Sequence, residues 1–501
     1  MSAARLVLHP DFSIGPVDPN LFGSFVEHLS RCVYGGIYEP GHATATAEGF
    51  RGDVLELTRE LNVPLVRYPG GNFVSAYNWK DGIGPREQRP RRLELAWRMV
   101  ETNQFGLNEF IDWCRAASTE PFLAVNLGTG DGASAAQLVE YCNHPGGSYW
   151  SDLRIQHGWK EPHRVKFWCL GNEMDGEWQI GHKTATEYGR VAVEAARMMR
   201  GVDPTIKLVA CGSSHTGMPT YLDWDHEILR HLYCVVDFIS LHNYVGNRDG
   251  KLGKFFAASL RFDRQIRDIA ALCDLVKSQQ KGSKDIQLAF DEWNVWFHSN
   301  EQDTKVAPWQ EAPPLIEDIY TLEDALVVGC YLITLLRHAD RVKIACLAQL
   351  VNVIGAIFTK TGGGACRQTI FYPFRDASRH GRGEVLRTQL TSDRYDVEGV
   401  GAVDLLEVVP VLHRDKGELV LFAVNRDQKD ELRLTVDLRA FSRGAFLEHT
   451  ILDGPDLKAR NTVEAPDQVQ PRTAKSTPAF EDGVMEIALP PLSWNVIRLS
   501  V

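Results

Sequence analysis

Eight short apolar runs recur through the first three quarters of the chain, at residues 22–28, 65–69, 121–128, 165–173, 207–213, 237–244, 285–294 and 343–352. Each is rich in Val, Leu, Ile and Phe and bounded by Gly, Pro, Asn or Asp. Strands of a parallel sheet, buried on both faces, carry that near-continuous pattern. Between the runs the apolar period becomes helical. In 51–62, Val54, Leu57 and Leu61 fall on one face, and 106–118, 134–142, 184–200, 221–234, 256–278 and 322–338 are further helix candidates. Gly201 and Pro204 close 184–200. Strand alternating with helix eight times predicts a (β/α)8 TIM barrel with long loops. The competing fold, a doubly wound open sheet, usually carries a Gly-rich phosphate turn after its first strand, and none follows 22–28.

After about Pro373 the texture changes. Short alternating segments appear at 418–424, 432–438, 449–452 and 495–499, separated by turn signals such as Asp415-Lys416-Gly417 and Asp453-Gly454-Pro455. They predict an antiparallel, jelly-roll-like β-sandwich. Residues 5–9 also alternate and are expected to join that sandwich. The expected organisation is therefore an N-terminal strand in 1–15, a catalytic barrel in 16–375 and a sandwich in 376–501. The Pro-, Gln- and Thr-rich segment 465–478 reads as an exposed loop.

Composition narrows the function classes. The 501 residues are 44% hydrophobic and 24% charged, enough for a large core without staples. A net charge of −11 argues against a nucleic-acid partner, which would need a basic face. The basic stretch 85–92 then reads as a solvated loop. No run has the length of a membrane helix, so no membrane partner is expected, and the first residues lack the marks of a signal peptide. Ten cysteines lie between Cys32 and Cys366 with neither paired nor zinc-ligand spacing. They predict reduced, mostly buried thiols of a cytoplasmic protein, with no metal and no cofactor.

In a barrel enzyme, chemistry gathers at the C-terminal strand ends. Here nearly every run ends on a polar residue: Glu27-His28, then Arg67 through Asn72, Asn126, Asn172-Glu173, His242-Asn243-Tyr244, Asp291-Glu292 and Gln349 with Asn352. Trp79, Trp178, Trp293, Trp296 and Trp309 stand close by in the chain. Amides and carboxylates beside aromatic faces suit a sugar, which has hydroxyl edges and an apolar C–H face. Strand parity puts Glu292 on a face with Leu288 and Phe290, and Glu173 with Phe167 and Cys169. Asp291, of opposite parity, reads as structural. Two carboxyls at one barrel mouth can serve as acid/base and nucleophile of a glycosidase. One strand-end glutamate alone is more often a cap or an ion-pair partner. His28 and His242 read as satisfied hydrogen-bonders, because no partner histidine stands at ligand spacing. Asn172 is a candidate partner for the sugar 2-hydroxyl, and Tyr244 a candidate to orient the nucleophile.

Longer segments sharpen this. GPVDPNLFGSFVEHLSRCVYGGIYEP, VRYPGGNFVSAYNWKDGIGP, FWCLGNEMDGEWQIGH, SLHNY, FDEWNVW and PPLSWNVIRLS occur in that order across essentially the whole chain. In them the chain resembles the α-L-arabinofuranosidases of glycoside hydrolase family 51. The resemblance implies that Glu173 is the acid/base and Glu292 the nucleophile. It implies that Glu27, Asn72, Asn172, Tyr244 and Gln349 contact the arabinose ring, and that Trp178 walls the leaving-group side. It also implies retaining, exo-acting release of terminal arabinofuranose from arabinan, arabinoxylan or their oligosaccharides, and a homo-oligomer, often a hexamer. Two other functions remain at this stage. One is an endo-acting glucanase or xylosidase on the same fold, and the other is a non-catalytic sugar binder.

Overall fold

The computed structural model describes residues 2–441, 444–475 and 477–501. Ser476, in the expected loop 465–478, lies outside the described residues. Each apolar run holds one barrel strand: β1 (Gly23–Phe25), β2 (Leu65–Tyr68), β3 (Glu120–Val125), β4 (Phe167–Leu170), β5 (Lys207–Ala210), β6 (Phe238–Val245), β7 (Gln287–Val295) and β8 (Val342–Leu347). Each strand pairs in parallel with the next, and β8 returns to β1, closing the barrel. A helix follows each strand: α1 (Gly52–Leu61), α2 (Leu107–Ala117), α3 (Gly132–Asn143), α4 (Ala185–Val202), α5 (Asp223–Leu232), α6 (Ala258–Gln279), α7 (Leu322–Arg337) and α8 (Phe371–His380). Local chemistry sets their ends. The Asp131 carboxylate accepts the Ser134 N–H at the start of α3, and Thr184 and Glu187 form a capping box on α4.

The barrel interior is filled from alternate strand positions: Leu65, Phe122, Ala124, Phe167, Cys169, Val209, Phe238, Ala289 and Ile344 form one buried cluster. The intervening positions, such as Trp168, Leu170, Leu288 and Phe290, pack outward against the helices. Phe290 of β7 lies with its ring 4.2 Å from Phe262 of α6. Nine of the ten cysteines are buried, Cys234 is exposed, and none is in a disulfide. Among the described residues, no helix is long and apolar enough to cross a membrane.

The C-terminal part is a sandwich of a five-stranded and a seven-stranded sheet. The N-terminal strand Ser2–Val7 does enter it, between Gln389–Ser392 and Leu432–Asp437. Its pairing with Leu432–Asp437 is parallel, so the sandwich is not wholly antiparallel as expected. Leu6, Leu8, Leu406, Leu421, Leu434 and Ile487 fill the space between the sheets. The outer face of the larger sheet, with Val409, Phe422 and Trp494, packs on α7. That explains why α7 is apolar all round: it is covered by barrel on one side and sandwich on the other. Gly329 permits the contact, since a Cβ there would lie 2.7 Å from the Trp494 ring.

Candidate active site

The C-terminal mouth of the barrel opens into a cavity of about 1180 Å3. Its inner end is lined by Glu27, Asn72, Trp97, Glu173, Trp178, Tyr244, Glu292, Trp296 and Gln349. Asn172 lies just beneath, buried, with its side-chain oxygen 2.7 Å from Arg67 Nη2. All eight residues singled out from the sequence are thus brought to one place. Of the five tryptophans, Trp178 and Trp296 line the cavity. Trp293 is buried against Phe262 and Tyr331, Trp79 packs on Tyr141 and Trp150, and Trp309 stacks under Arg98 instead. Sequence reasoning misses Trp97. It sits on the hairpin Arg92–Glu94/Met99–Glu101 in the loop after β2, where its sequence context resembles surface.

The two central glutamates arrive by routes that strand parity misjudges. β4 ends at Leu170, and Gly171 and Glu173 follow with φ of +91° and +43°, so Glu173 stands in the loop beyond the strand. In β7, Leu288 and Phe290 face the helices, while Ala289 faces the interior. Simple alternation would send Glu292 outward. A register irregularity between Phe290 and Trp293 turns it inward beside Asp291, whose own parity already points there. Asp291 therefore shares the interior with Glu292 rather than opposing it.

One guanidinium ties these groups together. Arg67 Nη1 lies 2.6 Å from Glu292 Oε1, and its Nε lies 3.1 Å from Asp291 Oδ2. Its plane rests over the Phe25 ring at 4.9 Å. Tyr244 donates its hydroxyl to the other Glu292 oxygen at 2.8 Å. His242 Nδ1 is 2.9 Å from Glu173 Oε1 and 3.6 Å from Glu292 Oε2, and its Nε2 is 3.4 Å from Asp291. Trp178 donates its indole N–H to Glu173 Oε2 at 2.7 Å. The Trp178 ring, 47% exposed, stacks on His215 at 5.9 Å. Glu27 accepts from the Phe73 N–H, Trp97 Nε1 and Gln349 Nε2. A Cβ on Gly71 would lie 2.3 Å from the Glu27 carboxyl, so the Gly70-Gly71 pair makes room for it. His28 is satisfied as expected, between Glu101 and Tyr68 at 2.7 Å each.

The electrostatics follow from this packing. Burial raises the Glu27 carboxyl, helped by the Glu292 and Glu94 charges, and backbone and indole donors only partly offset it, so it reaches about 8. Burial would lower His242, but Glu292, Asp291 and Glu173 around it carry the imidazole up to about 10. Burial would raise Asp291, yet Arg67 and His242 hold it down at about 2. Glu173 and Glu292 are interdependent. Burial pushes both up, but His242 and Trp178 bring Glu173 below the ordinary carboxylate range. Glu292 stays above that range, because burial and the Glu173 and Asp291 charges outweigh His242 and Arg67.

Glu173, His242 and Glu292 each place one donor atom within 4.8 Å of the others, close enough to hold a metal ion. Arg67 and His242 already bring positive charge to these same carboxylates, which opposes a second cation there. Arg67 is the charge on which this arrangement depends. Arg67→Met strands Asp291 and Glu292 beneath the site and should cost about 3–5 kcal/mol of stability. Urea unfolding measures it, and an unchanged midpoint would show that the carboxylates do not need the guanidinium.

Two family models match the chain: an α-L-arabinofuranosidase 1 domain over residues 57–251 and an α-L-arabinofuranosidase C-terminal domain over residues 291–493. The chain is 55% identical over 496 residues to an intracellular exo-α-(1→5)-L-arabinofuranosidase of Halalkalibacterium halodurans, covering 99% of each. A solved family 51 α-L-arabinofuranosidase of Bifidobacterium longum superposes with a TM-score of 0.95 at 43% identity, covering 99% of each chain. An α-L-arabinofuranosidase of Thermotoga maritima, solved as an arabinose complex, superposes with a TM-score of 0.89 at 36% identity, covering all of both chains.

Proposed function

The chain belongs to the α-L-arabinofuranosidases of glycoside hydrolase family 51, and from that premise we propose that it is an exo-acting, retaining enzyme whose nucleophile is Glu292 and whose acid/base is Glu173. The observation that carries this reading is the close approach of the two carboxyls, one oxygen of each lying within 4.8 Å of one of the other across the cavity, which favours the shorter of the two known carboxyl separations. Retaining glycosidases hold their carboxyl pair about 5–5.5 Å apart, whereas inverting ones need roughly 6.5–9.5 Å to admit a water.

The roles follow from what each carboxyl touches. Glu292 lies deep and receives two donors, Arg67 and Tyr244, that favour its ionised form. Glu173 faces the open side, where Trp178 covers its second oxygen. In the first step Glu173 protonates the glycosidic oxygen while Glu292 attacks the anomeric carbon. The aglycone leaves and an arabinosyl ester forms on Glu292. In the second step Glu173 removes a proton from water, which attacks the anomeric carbon and frees both arabinose and Glu292. Before substrate binds, the pair is polarised the other way, with Glu173 low and Glu292 high, because His242 sits against Glu173. Substrate displaces the Trp178 N–H from Glu173 and deepens the burial of that carboxyl. Both changes move the proton toward Glu173.

Glu27, Asn72, Asn172, Tyr244 and Gln349 are assigned to the arabinofuranose ring and Trp178 to the leaving group. Arabinan is the leading substrate, in keeping with the activity of the Halalkalibacterium relative, and arabinoxylan is a second. That relative's name also supports an intracellular location, and family membership supports a homo-oligomer, a hexamer in many members. Trapping with a fluorinated arabinofuranosyl donor tests the roles. The label should appear on the peptide bearing Glu292, and label on any other residue overturns the assignment.

A further inference from the structure

The cavity does not end at the sugar site. Its volume exceeds the roughly 300–1,000 Å3 of ordinary small-ligand pockets, far beyond what one pentose ring fills. The outer part runs from the end of β6 across α6 to the tip of the sandwich hairpin at Gly399 and Val400. There the sign of the lining reverses. The inner end carries Glu27, Glu173 and Glu292, but the outer wall carries Arg248, Lys254, Arg261, Arg264 and Arg267 against the single carboxylate of Asp249.

This wall is unusual for a chain of net charge −11. Arg261, Arg264 and Arg267 follow one another at intervals of three on α6, a spacing that puts like charges side by side on one helix face. Self-repulsion there has to be offset by counter-charge, which the protein supplies in part, from Asp249 and from Asp263 on α6 itself. Lys254 pairs with Asp249 at 2.9 Å and Arg267 with Asp263 at 2.7 Å. Arg248 and Arg264 have no ion-pair or hydrogen-bond partner among the described residues. Two free guanidiniums, each a planar fork suited to a carboxylate, thus stand at the rim of the cavity that ends at the two glutamates.

We propose that this outer wall binds the carboxylates of uronic acids on the carrier chain, so that the enzyme favours arabinofuranosyl side chains borne by acidic oligosaccharides. The proposal rests on the arabinofuranosidase reading of the inner site. Charge orients such a substrate: the inner carboxylates are already matched by Arg67 and His242 and leave no free cation for an acidic residue, while the outer arginines draw the acidic backbone to the rim. Because the groups are exposed, each pairing is modest and screened by salt, about two- to fivefold in affinity.

Two arabino-oligosaccharides of equal length, one neutral and one carrying a uronic acid on the carrier side, test this. At low salt the acidic one should show a KM several-fold lower at similar kcat. The advantage should vanish at high salt and in the double variant Arg248→Gln/Arg264→Gln, which should hydrolyse the neutral substrate as before. Equal KM values for the two substrates, or an advantage that survives the double variant, overturn the proposal. Calorimetric binding of both oligosaccharides to the Glu292→Ala variant reads the same preference without turnover. Failure to cleave either substrate would therefore count against the function of the inner site, and equal affinities would count against the outer wall.

Discussion

Glu292→Ala should lower kcat for an aryl α-L-arabinofuranoside by on the order of 10⁵-fold, because it removes the carboxylate proposed to form the covalent intermediate. The protein should remain folded. Arg67 keeps Asp291 and Asn172 as partners, so no buried cation is orphaned. The pKa of Glu292 is raised in the folded state, so the stability it contributes is present below the ordinary glutamate pKa and lost as pH rises. At neutral pH its removal should leave the melting temperature unchanged or higher. Azide, small enough for the vacated space, should attack the anomeric carbon from the side Glu292 occupied and give a glycosyl azide of inverted configuration. Near-normal turnover without azide would sink the assignment.

The barrel was legible because its signal is redundant. Eight apolar runs each had to be buried on both faces, and a run such as 207–213 reads as a core strand whatever its neighbours do. The C-terminal edges of six runs overshoot, while those at 237–244 and 285–294 stop one residue short of the ends of β6 and β7. His28, Gly128, Glu173, Ser213 and Asn352 all sit inside predicted runs but beyond the observed strands. In those six the ladder stops before the polar residues of the mouth, whereas β6 and β7 carry His242, Tyr244 and Glu292 within the ladder, and apolar patterning cannot tell the two cases apart. The same limit defeats parity at Glu292. Its inward direction depends on an irregularity between Phe290 and Trp293, set by pairing with β8 and invisible along β7 alone.

The site itself was legible at the residues that end strands and opaque where a charge lies inside one. Arg67 stands in view, within LVRY, and a guanidinium in a fully buried strand demands carboxylate partners. The structure meets that demand from β7, with Asp291 and Glu292. His242 reads as satisfied from the sequence, yet its second nitrogen has only the 3.4 Å approach of Asp291. Its charge comes from three carboxylates at the ends of two other strands, which no local pattern contains. Trp97 and His215 belong to long loops whose course is set by tertiary packing.

Glu173→Ala separates the two glutamates by a different signature. With a poor leaving group, such as the next sugar of an arabinan, kcat/KM should fall by about 10²–10⁴-fold, the usual worth of a positioned proton donor. With a nitrophenol leaving group, which departs without a proton, bond cleavage should be little affected. Breakdown of the arabinosyl ester still needs a base, so the intermediate should accumulate, with a burst and a lowered KM. The pH profile should change on both sides. On the proposed roles, the rate of the parent enzyme should rise as Glu292 ionises and fall as the proton shared by Glu173 and His242 is lost. Without Glu173 the alkaline fall disappears. The acid rise should move to lower pH, because the Glu173 charge helps to hold Glu292 up and His242 is freed to turn to Glu292, 3.6 Å away. A variant that keeps its alkaline limb, or loses both leaving groups equally, would assign the proton to another residue.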